Sequence, residues 1–251
     1  MFVHVLRPIM SVTYLASAPA KSLRVLFMLL ISIAASPAQA NGEYDSFLLD
    51  VFRLERCGFM STSETARAGR ADDCRAVLEK AEQEVSSVSD ADVARQADVR
   101  NKWIALRTIY KAALNDPQRF REPITADKIR FGREALVSSL QSDLPKPPSP
   151  VALAIQMERI ATEYVWRAES VMGAGMSATE ILDIEKMVSE ADRQFNSLAS
   201  RFGKDANFRA IYAKYEFIRT SLINYNSDTV PYIVDLYTDK ISKGLGDMAR
   251  I

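Results

Sequence analysis

Apolar residues recur at steps of three or four through almost all of the chain after residue 44, which is the spacing of amphipathic helices. No stretch alternates between apolar and polar residues for long enough to predict a strand. The pattern therefore predicts an all-α protein with four helices before residue 145 and four after residue 150. The eight apolar stripes begin at Phe47, Val77, Val99, Ile129, Leu153, Ile181, Phe208 and Val234.

Local signals predict where several of these helices begin and end. Gly58 and the polar segment that follows it are expected to end the first helix. Thr125 is the predicted N-cap of the fourth helix. Ser177 and Glu180 have the spacing of a capping box for the sixth. The eighth helix is expected to start near Pro231, because proline is tolerated in a first turn.

A proline-rich segment, PKPPSP at residues 145–150, divides the chain. Four prolines in six residues exclude a helix and predict a stiff, extended connector. The expected domains are residues 41–144 and residues 151–251. Each is predicted to be an antiparallel four-helix bundle.

The two halves also have similar sequences in places. KWIALRT at 102–108 aligns with KYEFIRT at 214–220, so that lysine, arginine and threonine match and apolar positions keep their type. In the first helix of each half, Arg53 aligns with Arg159. We interpret the two halves as tandem copies of one four-helix unit. The alternative is the chance likeness of any two amphipathic helices.

The N-terminal segment has the layout of a secretory signal peptide. Lys21 and Arg24 precede an apolar run, Val25–Ala35, and small residues lead to Ala40. This pattern predicts cleavage after Ala40 and a periplasmic protein. A retained signal that anchors the protein in the membrane is the alternative.

Charge argues against several partners. Removal of residues 1–40 takes Arg7, Lys21 and Arg24 but no acid, and leaves 29 basic against 32 acidic residues. A slightly acidic chain without a basic cluster predicts no nucleic-acid binding, which requires a positive surface. It also lacks a polybasic segment that would bind an anionic membrane.

The only histidine, His4, lies within the predicted signal. A mature chain without histidine cannot use a serine–histidine or cysteine–histidine nucleophile. It also lacks the histidine ligands common in zinc and di-iron sites. We therefore expect no catalysis, no metal and no cofactor. An enzyme that relies on carboxylates alone is the remaining catalytic alternative.

Two cysteines, Cys57 and Cys74, are present. An even number in an exported chain favours one disulfide, and the short segment between them closes easily. The alternative is a pair of free, buried thiols.

Four side chains beside or off the apolar stripes are candidates for contacts. Arg159 lies next to Ile160, where an arginine either extends along the edge of the core towards water or binds an anion between helices. Arg53 occupies the same place in the first half. Trp166 and Phe217 lie off the stripes and predict a contact between the halves or between two copies of the chain.

The segment MERIATEY at 157–164 resembles the first-helix signature of the N-terminal sensor domain of type IV pilus chemotaxis transducers (the PilJ type). Arg159, Ile160 and Ala161 match its R-I-A, and Tyr164 lies near its aromatic position. The resemblance implies a periplasmic four-helix sensor domain. In the related nitrate-sensor domains it implies that an arginine of this helix binds a small anion. The earlier arginine of the signature falls on Ala154.

These observations predict a non-enzymatic, periplasmic helical-bundle binding module. It would be sensor-like, or accessory to an envelope or chemosensory system, with Arg159 and Arg53 as contacts for a small anion. The alternative from a different class is a structural or assembly protein that pairs its helices with an envelope partner.

Overall fold

The residues that the computed structural model describes form α-helices and contain no strand, which confirms an all-α helical bundle. The described residues are 44–63, 69–89, 92–140, 148–169, 183–225 and 229–249. These described residues form eight α-helices, namely α1 (Asp45–Met60), α2 (Arg70–Ser87), α3 (Val93–Asn115), α4 (Pro123–Leu140), α5 (Pro150–Glu169), α6 (Ile184–Phe202), α7 (Ala206–Ile223) and α8 (Pro231–Met248). A short 3-10 helix, Pro117–Arg121, joins α3 to α4.

The boundary expected between the first two helices is wrong at both ends. Gly58 does not end α1, which continues to Met60. A side chain at position 58 would collide with the ring of Phe120, so Gly58 lies within α1 because its lack of a side chain lets Phe120 pack closely against the helix. The helix α2 already begins at Arg70, within the expected loop, and acidic residues in its first turn favour that start.

The other predicted boundaries have mixed outcomes. Thr125 is not an N-cap, because α4 begins at Pro123 and the Thr125 hydroxyl donates to Glu122 Oε2 at 3.0 Å. Proline supplies the first turn instead. The start of α8 at Pro231 is confirmed.

The sixth helix begins at Ile184, and the side chain of Asp183 caps it by accepting a hydrogen bond from the Lys186 N–H at 3.1 Å. The predicted capping box of Ser177 and Glu180 lies outside the described residues, as does Ile181. The first forty residues and residues 145–147 of the proline-rich connector also lie outside them.

The helices of each half have the same neighbours. In the first half α1 packs on α2, α2 on α3, α3 on α4, and α4 on α1. In the second half α5, α6, α7 and α8 follow the same order around a second ring. The two rings meet where α1 packs along α5, and Ala40–Ile251 form one compact unit.

Equivalent positions of the two halves are buried alike. In the sequence alignment of α3 with α7, Trp103 matches Tyr215 and Leu106 matches Ile218, and all four side chains are buried. The buried positions of α2 and α6 have the same spacing, and in this alignment Val85 matches Phe195. The equal order and burial are what tandem copies of one unit would produce, and duplication stays a prediction.

Two further predictions concern single residues. Cys57 and Cys74 form the predicted disulfide between α1 and α2, with Cα atoms 5.6 Å apart. Trp166 is buried, and the guanidinium of Arg130 lies 5.0 Å from its ring centre, so Trp166 lies at the contact between the halves. Phe217 remains 60% exposed.

None of the described helices is long and apolar enough to span a membrane.

Candidate functional site

Arg56 of α1 is fully buried among three carboxylates. Its Nη2 donates to Glu158 Oε2 at 2.8 Å and to Asp239 Oδ1 at 2.6 Å. Its Nη1 donates to the carboxylate and to the carbonyl oxygen of Asp235. Since Glu158 belongs to α5 and both aspartates to α8, this single side chain joins the two halves. A buried charge is tolerated when it is paired in this way.

Two more arginines surround the same carboxylates. Arg53 donates from Nη2 to Glu158 Oε1 at 3.1 Å, and its Nη1 lies 3.3 Å from Asp50 Oδ1. Arg70 of α2 donates from Nη2 to both oxygens of Asp235, at 2.7 and 2.8 Å. We call this cluster the Arg56 network. Its members are Arg53, Arg56, Arg70, Glu158, Asp235 and Asp239.

A second buried cluster lies where α1, α4 and α5 meet. Arg133 of α4 donates from Nη2 to Glu163 Oε1 at 2.6 Å and from Nη1 to Glu134 Oε1 at 2.7 Å. Its Nε forms an ion pair with Glu55 Oε2 at 2.6 Å. The Arg133 guanidinium also lies over the ring of Phe52. We call this cluster, with Arg159, the Arg133 network.

The two networks differ in charge balance. The Arg56 network has three guanidiniums for three carboxylates. The Arg133 network has two guanidiniums for the three carboxylates of Glu55, Glu134 and Glu163. Burial raises the pKa of Glu55 to about 7, while Arg133 opposes the rise. A buried carboxyl group in an acidic surplus retains its proton more readily than one in water.

The predicted ligand contacts, Arg53 and Arg159, lie in different networks. Arg159 Nη2 lies 3.7 Å from Glu134 Oε2, and the side chain is 24% exposed. Arg53 is 26% exposed and has three carboxylates within 4 Å. Both arginines follow the edge of the core and reach an acid of the opposite half, Glu134 or Asp239. The structure therefore does not bring them together in one pocket.

Arg53 does line a groove, which we call the Arg53 groove. It has a volume of about 380 Å³ and lies between α1, α2 and α8. Its charged lining residues are Asp50, Arg53, Lys80, Asp239, Lys243 and Asp247. Arg159 is not among the residues that line it.

Within the described part of the chain, some charged side chains of the Arg53 groove form ion pairs and others do not. Lys80 Nζ donates to Asp50 Oδ2 at 2.6 Å, and burial raises the pKa of Asp50 to about 6 against this hydrogen bond. Among the described residues, no carboxylate lies within ion-pair distance of Lys243. The Ser242 hydroxyl, also in the lining, is buried without a hydrogen-bond partner. Lys243 and Ser242 are therefore the groups with capacity for a ligand.

Sequence reasoning missed the buried acids and bases of both networks. One signal was available, because the segment Phe47–Met60 carries apolar residues on every face of its helix. A helix that is apolar all round is buried all round, so the charges within it must be buried and paired. The partners could not be read from the sequence, since Arg56 and Asp235 are 179 positions apart.

The described residues contain no group of three or more histidine, cysteine, aspartate or glutamate side chains arranged to hold a metal ion. The buried carboxylates of Glu55, Glu158 and Glu163 face guanidiniums. The chemistry that this arrangement offers is ion pairing and hydrogen bonding.

Comparisons with models of protein families, with curated proteins and with solved structures gave no match.

Proposed function

We propose that the protein is an exported helical-bundle module that binds a small anion in the Arg53 groove. The observation that carries the proposal is Lys243, a cation of the groove lining that has no carboxylate partner among the described residues. The unpartnered Ser242 hydroxyl supplies a neutral donor beside it. Charge-assisted hydrogen bonds to a ligand oxygen are the stronger kind.

A sensor-like role follows from the neighbours of this groove. Arg53 contacts Glu158 of α5 and lies 3.9 Å from Asp239 of α8. An anion that draws Arg53 outward competes with both carboxylates and thereby alters contacts between the halves. This coupling suits a module that reports ligand binding to an envelope or chemosensory partner, as the resemblance to pilus transducer sensor domains implies.

The periplasm is the proposed compartment. The disulfide supports an oxidising environment, because such bonds persist outside the cytosol. The signal-like segment that ends at Ala40 supports export. We further propose that the protein acts by binding rather than by catalysis, since the mature sequence offers no imidazole.

The proposal is tested by isothermal titration calorimetry and thermal shift against acetate, citrate, nitrate, sulfate and phosphate. We expect one of these anions to bind, and we expect Lys243→Gln to weaken binding about tenfold or more without loss of stability. Arg53→Gln should lower both affinity and stability, because it leaves Glu158 short of a cation. Arg159→Gln is the matched control and should leave affinity within about twofold.

Loss of binding in Arg159→Gln, with wild-type affinity in Lys243→Gln, would show that the ligand contacts Arg159 and not the groove. Absence of binding by any of the five anions would exclude the proposed function.

One observation favours the assembly alternative. Phe217 of α7 is exposed, and its ring centre lies 4.6 Å from that of Tyr237 on α8, with Tyr232 exposed nearby in sequence. In the first half, the alignment of α3 with α7 sets Ala105 at the position of Phe217, and the matching buried patterns of α4 and α8 set Gly132 at the position of Tyr237. An exposed aromatic ring that packs on a partly buried one is typical of a contact surface. A protein that binds no anion but sediments as a dimer would support this alternative.

A further inference from the structure

A second groove lies between α2 and α3, away from Arg53. It has a volume of about 360 Å³, and its lining includes Glu82, Val85, Arg100, Trp103, Ile104 and Arg107. We call it the Trp103 groove. A pocket of this size is in the range of small-molecule sites.

Two donors in the lining have no acceptor. Trp103 is 2% exposed, and its Nε1–H is buried without a hydrogen-bond partner. Arg107 pairs through Nη1 with the Glu82 carboxylate, but its Nε is also buried and unpartnered. An unsatisfied buried donor is costly, so native proteins rarely keep one without a reason.

At the aligned place in the second half, the residues that match Trp103 and Arg107 both donate hydrogen bonds to a carboxylate. Asp192 and Arg219 stand where Glu82 and Arg107 stand, and Arg219 donates from Nε and Nη2 to Asp192 at 2.8 and 2.7 Å. The hydroxyl of Tyr215, which aligns with Trp103, donates to Asp192 Oδ1 at 2.6 Å. The hydrogen bond from Arg219 lowers the pKa of Asp192.

Two substitutions explain why the first half is open. Phe195 stacks on Tyr215 with ring centres 4.3 Å apart, whereas the aligned residue of the first half is the smaller Val85. Tyr212 packs against Phe195 at 5.4 Å, whereas its counterpart is Arg100. The rings that fill the space in one half are therefore replaced by a small side chain and a cation in the other.

We propose that the Trp103 groove binds a monocarboxylate with an apolar body. The lining holds two guanidiniums, Arg100 and Arg107, and one carboxylate, so one positive charge is in excess. A single negative charge neutralises it, whereas a dianion would place a second charge near Glu82. The carboxylate accepts from the unpartnered nitrogens of Trp103 and Arg107.

The apolar part of the ligand has a matching wall. Ile104 is 51% exposed and lines the groove together with Val85. An inorganic anion would satisfy the donors but leave this wall in water. A hydrocarbon chain of a few carbons covers it and adds about 0.8 kcal/mol for each buried methylene.

Tryptophan fluorescence tests the proposal directly, because the chain has only two tryptophans. In a Trp166→Phe background Trp103 is the sole reporter, and hexanoate is the probe. We expect a saturable change in emission with hexanoate. Hexanol, which has the same chain without the charge, and sulfate should each bind at least about tenfold more weakly. Calorimetry on the wild-type chain repeats the three titrations if Trp166→Phe fails to fold.

Two variants locate the site, and two others serve as controls. Arg100→Gln should weaken hexanoate binding about ten- to a hundredfold, because it removes the excess positive charge of the lining. Val85→Phe copies the ring of the closed half and should abolish binding while every charge remains. Arg219→Gln is the matched control in the closed half and should leave hexanoate affinity within about twofold, as should Lys243→Gln in the Arg53 groove.

Far-UV circular dichroism confirms that each variant is folded. Three results would overturn the proposal: no saturable binding of hexanoate by the wild type, hexanol binding as tightly as hexanoate, or wild-type affinity in folded Arg100→Gln and Val85→Phe. Lys243 lines the Arg53 groove and not the Trp103 groove. Unchanged hexanoate binding in Lys243→Gln would therefore show that hexanoate tests the Trp103 groove alone, and the two proposed sites can be tested separately.

Discussion

Glu55 is the buried acid with the least compensation in the described structure. It lies against Arg133, but Glu163 and Glu134 share that guanidinium. The hydroxyl of Tyr110 lies in the same region, and burial together with Glu55 raises the pKa of Tyr110. Burial, with a smaller contribution from the neighbouring acids Glu163 and Glu134, raises the pKa of Glu55 to about 7.

This environment predicts that stability falls as pH rises. The pKa of Glu55 is about 7 in the folded protein against an ordinary value of 4.5. The folded state therefore binds the proton more tightly, and its free energy of unfolding decreases between about pH 4.5 and pH 7 and then levels off. A shift of this size corresponds to a loss on the order of 3 kcal/mol. Urea unfolding from pH 4.5 to pH 8.5 measures it.

Glu55→Gln provides the comparison, because its side chain stays neutral at every pH. The variant should match the wild type near pH 5 and exceed its stability at pH 8. Glu79→Gln, on the exposed face of α2, should leave the pH profile of the wild type unchanged. A wild type and a Glu55→Gln variant with parallel profiles would show that Glu55 is already ionised at low pH.

At the scale of elements, α1 and α5 differ from the other helices because they are buried on most faces. Each carries buried acids among its apolar residues, Asp50 and Glu55 on α1, and Glu158 and Glu163 on α5. The outer helices have one apolar stripe and a polar surface. The buried acids of α1 and α5 restrict how these two helices pack, because each buried carboxylate must lie next to a cation.

The disulfide holds the end of α1 to the start of α2. Reduction, or the double variant Cys57→Ala/Cys74→Ala, should lower the free energy of unfolding by about 3 kcal/mol, because the bond restricts a loop with a sequence separation of 17 in the unfolded chain. Urea denaturation measures the loss.

Wild type kept in an oxidised and a reduced form provides the control, since both have the same side chains. The reduced form should match the double variant within about 1 kcal/mol. Two thiols that alkylate in denaturant without reductant would mean that the bond does not form in the native protein.

At the scale of the whole molecule, the halves share buried charges. Arg56 of the first half is buried against Glu158, Asp235 and Asp239 of the second. Arg133 of the first half is buried against Glu163 of the second. Separation of the halves would leave these groups without partners, and breaking one buried pair costs about 3–5 kcal/mol.

We therefore expect the halves to unfold together. Trp166→Phe and Trp103→Phe make single-tryptophan chains, in which Trp103 reports on the first half and Trp166 reports on α5 and its contact with Arg130 of the first half. Their urea transitions should coincide with each other and with the loss of helix by circular dichroism, as two-state unfolding requires. Glu158→Gln, which removes one shared charge, should lower both midpoints equally. Midpoints that separate by more than experimental error would instead define two independent domains.

The sequence by itself determined the local features of the protein. The helices follow from apolar residues at steps of three or four, since hydrogen bonding along a helix depends on neighbours in the chain. The cysteine pairing followed from there being two cysteines close in sequence. Helix ends were less accurate, as Gly58 and Thr125 show, because packing against Phe120 and a proline start outweighed the local signals.

The tertiary structure alone decided which charges meet. Arg53 and Arg159 occupy matching places in the sequence, yet one lines a groove and the other does not. The open Trp103 groove depends on Val85 standing where the other half has Phe195. Such contacts join residues on different helices, often more than a hundred positions apart. The sequence gives the charge and hydrogen-bonding groups of each residue, but only the packed helices determine which other residue those groups contact.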